Sequence, residues 1–112
     1  MTTQALHTFA AIEEARRQTI LKDLSPTEMT MIAGFSIHWR DRQPLTILGA
    51  MRTFDRLSPS TVHRHLQKLR AQGAIDVTPD TVDSRIKYVI PTPALLTALE
   101  TIASAAAQQA AA

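Results

Sequence analysis

The chain has 112 residues, no cysteine, 45% apolar residues and a net charge of +2, which suits one domain (1–112) with a single modest core. Disulfides, thiol redox chemistry and thiolate-held zinc are excluded, and no run of about 18 apolar residues exists to span a membrane. No basic stretch followed by an apolar run opens the chain, so no signal peptide is expected and a cytoplasmic location is.

Residues 3–23 have the pattern of an amphipathic helix, with Leu6, Phe9, Ala10, Ile20, Leu21 and Leu24 on one side at helical spacing. Glu13 and Arg17 lie near that side and can pair at i,i+4. A long first helix with charges in its apolar stripe fits an interface better than a deep core. Ser25-Pro26 starts a second helix, with serine as cap, proline at the first helical position and Glu28 three residues after the cap. Met29, Ile32, Phe35 or Ser36, and Trp39 form its inward face. The segment RDRQP (40–44) breaks the pattern, because Pro44 disfavours helix at the residue before it.

A short helix is expected over 46–54, capped by Thr46, with Ile47, Leu48, Met51 and Phe54 apolar. Ser58 then caps a helix that runs to about Gln72 and stops at Gly73, in the manner of a left-handed cap. Its inward residues are Val62, Leu66 and Leu69. After Gly73 the period changes to two. Ile75 and Val77 alternate in one short run, Ile86, Tyr88 and Ile90 in another, with the polar DTVDS between them, which predicts a two-stranded hairpin. The last segment, 93–107, is helical with Leu95, Leu99, Ile102 and Ala106 in a stripe, and its alanine-rich end beyond Ala105 is expected to fray.

The positive charge is not spread evenly. Arg40, Arg42, Arg52, Arg56, Arg64, Lys68 and Arg70 stand against Asp41 and Asp55 in residues 40–70, a net +5. Such a patch suits a polyanion, although a solvated basic face would look the same. With Val62 inward, a step of 100° per residue puts Ser60, Arg64 and Gln67 on the far side of the helix. Thr61, His65 and Lys68 flank one edge and His63 the other. Small hydroxyl residues at the helix tip would allow close approach to base edges, and Arg64 is placed for a bidentate contact with guanine. Lys68, further along, suits a phosphate. Ser58 is a cap before it is a DNA contact. His63 is either a DNA contact or a solvated side chain. His63 and His65 cannot share a metal ion, since neighbours at i,i+2 diverge by about 200° on a helix; neither a metal nor a cofactor is expected.

The order of elements, the stretch SPSTVHRHLQKLRAQGAI (58–75) and the hairpin motif Asp83-Ser84-Arg85 followed by VIPTPA (89–94) together resemble the winged helix-turn-helix transcription regulators of the MarR type. The resemblance covers about residues 25–95. It implies a mainly α fold with a small β-hairpin (α+β): a winged helix-turn-helix over 25–91, with N- and C-terminal dimerisation helices. It also implies a sequence-specific regulator, a repressor in many such proteins, that binds a near-palindromic site on double-stranded DNA as a homodimer. Arg85 resembles the arginine that such regulators set against the minor groove, and Asp83 the acid that orients it. Lys87 is then a phosphate contact. The dimer interface would use Leu6, Phe9, Ile20, Leu21, Leu95, Leu99 and Ile102. A small-molecule effector remains open; Phe35, His38 and Trp39 could line a pocket for one, although core packing is the better reading of them.

Two alternatives use the same fold for other ends: a winged-helix module for protein–protein or RNA interaction, and an accessory DNA-binding protein of a plasmid or phage. The basic, hydroxyl-rich outer face of 58–72 favours DNA over a protein partner. No phosphate-binding glycine loop or paired acid motif supports an enzyme.

Overall fold

Local polar contacts decide where the helices of this chain begin. The computed structural model describes residues 2–111, arranged as α1 (Thr2–Arg17), a 3-10 turn (Ile20–Asp23), α2 (Pro26–Arg40), α3 (Ile47–Thr53), α4 (Pro59–Ala71), β1 (Ile75–Pro79), β2 (Lys87–Pro91) and α5 (Pro93–Ala111). Ser25, Thr46 and Ser58 each accept a hydrogen bond from the backbone N–H three residues on. At Ser25 the Glu28 side chain returns the bond to the cap residue's own N–H, which completes a capping box. Thr92 does the same work for α5, accepting from Leu95 N–H at 3.1 Å while its hydroxyl donates to the Gly73 carbonyl at 2.6 Å.

The end of α4 is equally local. Gly73 sits at φ 77°, its N–H bonds the Arg70 carbonyl, and the Ala74 N–H reaches back to Leu69. These two bonds are the signature of a Schellman cap, which turns the chain directly into β1. The hairpin that follows is antiparallel, with Val77 opposite Val89 and Ile75 opposite Pro91. Its base is anchored twice at one residue. Val89 donates its N–H to the Leu45 carbonyl at 2.7 Å, and its own carbonyl accepts the Trp39 indole N–H at 3.1 Å. Thr46 adds an isolated bridge to Tyr88, so the segment before α3 runs as a short third rung beside β2.

One core lies behind these elements. Phe35, Met31 and Ile32 of α2, Val62, Leu66 and Leu69 of α4, Ile75 and Val89 of the hairpin, and Leu95 of α5 are all buried in it. Burying a side chain of this size contributes roughly 1.5–3 kcal/mol, so the three α4 residues alone bind that helix firmly to the body. Phe54, in the turn between α3 and α4, lies edge-on to Phe35 at 5.7 Å. Its ring also lies 3.0 Å from the place where a Cβ on Gly34 would stand, so glycine there lets α2 and that turn close up.

Four expectations are corrected. The helix expected over 3–23 stops at Arg17, and Thr19, in extended conformation, caps a separate 3-10 turn through Leu21 N–H. That reorientation swings Leu21 into the core, where it is wholly buried, and Leu95 is wholly buried too. Neither is available to a second chain. Ile20, Leu99 and Ile102 are half-buried against the same core. In the hairpin the inward residue of β2 is Val89, while Ile86 and Ile90 are exposed; the alternation 86/88/90 belongs to the outer face. Finally, α5 continues to Ala111 instead of fraying after Ala105. It runs antiparallel beside α1, where the Gln4 amide donates to the Gln109 carbonyl, and Ala105, Ala106 and Gln109 are half-buried along the way.

Candidate nucleic-acid interface

Three hydroxyls gather at the start of α4. Ser58 Oγ accepts from Thr61 N–H at 3.2 Å and donates to Thr61 Oγ1 at 2.8 Å, with Ser60 Oγ 3.2 Å away. Ser58 and Ser60 are exposed and Thr61 is half-buried. Ser58 therefore serves the helix first, and Ser60 is the freest hydroxyl of the three. The bare N–H groups and positive end of the helix dipole at this point favour a negatively charged group.

Further along, His63, Arg64 and Gln67 are exposed. Among the described residues Arg64 has no acidic partner and no side-chain hydrogen bond, so its whole fork of donors faces solvent. Lys68 is different. It is more than half exposed, yet its ammonium lies 3.7 Å from the carboxylate of Glu28, which is buried completely beneath it. The same Oε2 bonds His65 Nδ1 at 2.8 Å. Burial pushes the Glu28 pKa up, but the His65 bond, the Ser25 N–H, the Lys68 charge and the Ser25 hydroxyl outweigh it, and the net shift is downward. His65 is thus a structural partner, not a free edge residue of α4.

The hairpin tip is built on two aspartates. Asp80 Oδ2 accepts the N–H groups of Val82 and Asp83, each at 2.9 Å, and its Oδ1 accepts the Tyr88 hydroxyl at 2.8 Å. The Asp83 N–H, the Tyr88 hydroxyl and the Val82 N–H hold the Asp80 carboxyl below the usual carboxylate range. That same bond raises the Tyr88 pKa. Asp83 grips Arg85 at both ends, Nε to Oδ1 and Nη2 to Oδ2, each at 3.0 Å. The Arg85 guanidinium lowers the Asp83 pKa, helped by the Arg85 N–H, and Asp83 in turn raises that of Arg85. Arg85 is 90% exposed, so the fork is oriented without being hidden. The Lys87 ammonium bonds the Ser84 carbonyl at 3.1 Å, which folds it back along the tip.

The packing brings these residues to one side. His63, Gln67 and Lys87 share the wall of a depression of about 180 Å³ between α4 and β2. Arg85 and Lys87 line a wider one of about 490 Å³ against Thr46, Ile47 and Leu48 of α3. The start of α3, the outer face of α4 and the hairpin tip are therefore contiguous. Of the scattered arginines, Arg40 pairs with Asp41 at 2.9 Å and Arg70 faces Asp76 at 3.6 Å, while Arg42, Arg52 and Arg56 have no acidic partner among the described residues. Phe35 and Trp39 belong to the core, the first fully buried and the second bonded through its indole. Among the described residues no group of three or more His, Asp or Glu side chains could hold a metal ion, and no helix is long and apolar enough to cross a membrane.

Residue-level reading of the sequence missed the second role of Glu28, the bond to His65 and the Asp80–Tyr88 pair. The serine three residues before Glu28 accounted for it as a cap partner, and nothing local pointed to α4.

No protein-family model and no curated protein matches this chain. Solved structures do. S. aureus MepR bound to ethidium bromide aligns over 96% of this chain and 72% of its own, at 17% identity and a TM-score of 0.72. A complex of S. aureus MepR with DNA aligns over 96% and 75%, at 17% identity and a TM-score of 0.70. The transcriptional regulator Tm0710 from Thermotoga maritima aligns over 89% and 67%, at 20% identity and a TM-score of 0.63. The fold is a winged helix-turn-helix like that of MepR and Tm0710. In the winged helix, α3 and α4 are the helix-turn-helix, β1 and β2 the wing, and α1 and α5 the flanking helices. The mainly α architecture with a small hairpin expected from the sequence is the one observed.

Proposed function

We propose that this winged helix is a sequence-specific regulator of transcription that binds double-stranded DNA, with α4 in the major groove and the wing tip over the adjacent minor groove. The observation that carries the reading is the chemistry of one contiguous face. An unpartnered Arg64, exposed Ser60 and Gln67, and a wing arginine oriented by Asp83 lie together on the side opposite the core. Arg64 supplies the base contact, Ser60 and Thr61 meet bases or phosphate at the helix tip, and Lys68, Lys87 and His63 contact the backbone. That a protein of like fold, MepR, has been solved in complex with DNA supports DNA as the partner.

One α4 reads only a few base pairs, so selective binding calls for a second copy. A two-fold dimer sets its two recognition helices about 34 Å apart, one helical turn of DNA, and asks for a near-palindromic site. On α1, Leu6 and Phe9 are 66% and 73% exposed, apolar surface suited to a partner's helices. Repression is the simplest regulation for such a protein, because occupancy of a promoter suffices, and a DNA partner fits a cytoplasmic location. The test is selection of bound fragments from random duplex DNA, followed by titration against salt. Enrichment of one inverted repeat, with affinity falling steeply between about 50 and 200 mM salt, is the expected result. No enrichment together with a flat salt response rejects the reading.

A further inference from the structure

Glu28 is the one charged residue among those described that is wholly buried. Burying a carboxylate is costly unless it is paired and hydrogen-bonded. Its role as cap does not require the charge. Oε1 alone accepts the Ser25 N–H, at 3.1 Å, and glutamine serves a capping box as well as glutamate does. The other oxygen is turned to a different helix, 2.8 Å from His65 Nδ1 and 3.7 Å from Lys68 Nζ. A carboxylate only accepts, so the hydrogen of that short bond lies on Nδ1.

We propose that Glu28 is a positioning residue for DNA recognition: from within α2 its carboxylate holds His65, and so sets the angle at which α4 offers Arg64 to a base edge. The proposal rests on the reading of α4 as the DNA-reading helix. The apolar contacts of Val62, Leu66 and Leu69 hold α4 against the core but have no preferred direction. A hydrogen bond to an imidazole nitrogen does. Arg64 precedes His65 in the chain, so rotation of α4 about its axis moves both together, and a bidentate base contact tolerates little misalignment. Glu28 also draws on the Lys68 charge from behind, which weakens a contact that any DNA sequence would satisfy. The first effect raises affinity for the specific site alone, while the second lowers affinity for every sequence, so DNA that lacks the base contact is held weakly.

Full-length wild type, Glu28→Gln, His65→Ala and His65→Gln are compared on the selected duplex and on a random duplex. Glu28→Gln keeps the cap and is expected to lower affinity for the selected site about tenfold, the order of one charge-assisted hydrogen bond. Its affinity for random DNA should rise, with a salt dependence steeper by up to about 0.9 in log–log slope as Lys68 is released to phosphate. His65→Ala should lower specific affinity, while His65→Gln, whose amide still donates to Glu28, should restore most of it. A merely stabilising role would move both duplexes by one factor; that result, or no change in either, overturns the proposal. The hold itself is read without DNA, by amide hydrogen exchange. Faster exchange across α4 in Glu28→Gln and His65→Ala, with α5 unaffected, is expected, and unchanged α4 exchange overturns it. A wild type that binds no duplex, with the two variants still showing this exchange pattern, rejects the DNA reading and leaves the tether standing.

Discussion

Replacing Gly73 with alanine isolates one backbone term at the junction between α4 and the wing. The residue stands at φ 77°, and a Cβ built there meets nothing within 4 Å. No steric clash adds to the cost, and the two cap bonds to Leu69 and Arg70 use backbone atoms that alanine retains. What remains is the left-handed conformation itself, about 1–2 kcal/mol for a residue with a Cβ. The gain from a stiffer unfolded chain does not cancel it where φ is positive. For a domain of this size a loss of 1 kcal/mol lowers Tm by roughly 4 °C. Gly73→Ala should therefore melt about 4–8 °C below the wild type by circular dichroism, with an unchanged denaturant m-value. Gly73→Asn should fall between the two, because asparagine tolerates this region better. At 25 °C the folded Gly73→Ala should still bind its DNA site within about twofold of wild type, the native geometry being retained. A Tm within 1 °C of wild type, or a loss above about 3 kcal/mol, would refute the reasoning: the first denies the left-handed cost, the second implies a clash that the open space around Gly73 does not contain.

Arg64→Ala should cost roughly 1–3 kcal/mol at one base position and relax preference there, whereas Lys68→Ala should weaken all sequences alike and, with its charge already shared by Glu28, by less than a free lysine would; footprinting across single-base variants of the site separates the two. Arg85→Ala should weaken binding with an unchanged melting curve, and Asp83→Ala should do so less, by freeing the guanidinium to wander; unaltered affinity in Arg85→Ala would leave that pair a structural turn only. Charging the exposed face of α1 with Leu6→Glu and Phe9→Glu should yield a monomer in sedimentation and a much weaker grip on a palindrome, while a wild type that sediments as a monomer at tens of micromolar ends the dimer reading. On acidification, Glu28 supplies the sign: its folded pKa lies below the ordinary glutamate value of 4.5, so its contribution is complete above that value and is lost as pH falls through the folded pKa. Chemical denaturation from pH 6 to 3 should show an acid decline that flattens in Glu28→Gln.

What could be read from the sequence were the features whose cause lies within three or four residues. Ser25, Thr46 and Ser58 begin helices because each side chain bonds the N–H three residues on, and Gly73 ends one because of its own φ. The stripe of Val62, Leu66 and Leu69 gave the inward face of α4, and with it the outward place of Arg64. The break after Arg17 was hidden because apolar spacing runs on through Ile20 and Leu21, with neither glycine nor proline to mark the bend that Thr19 makes. The phase of β2 was ambiguous because Ile86, Tyr88, Val89 and Ile90 are all strand-forming. It is settled by Trp39 and Leu45, both more than forty residues away in sequence, which bond the backbone of Val89. The second oxygen of Glu28 belongs to the same class, its partner His65 lying 37 residues on.

The double anchoring of Val89 makes the wing a ruler with a fixed zero. Its base is pinned to α2 and to the segment before α3, while the tip from Asp80 to Ile86 closes on itself through Asp80 and Asp83. Length between these two ends is then an independent variable. Each residue added to both strands advances the tip by about 3.3 Å, and a pair keeps every side chain on its original face. Two-residue extensions can thus carry Arg85 roughly 7 Å further out while α4 stays where the core holds it, so that, on the proposed reading, reach and base preference can be changed one at a time, by mutation or by design.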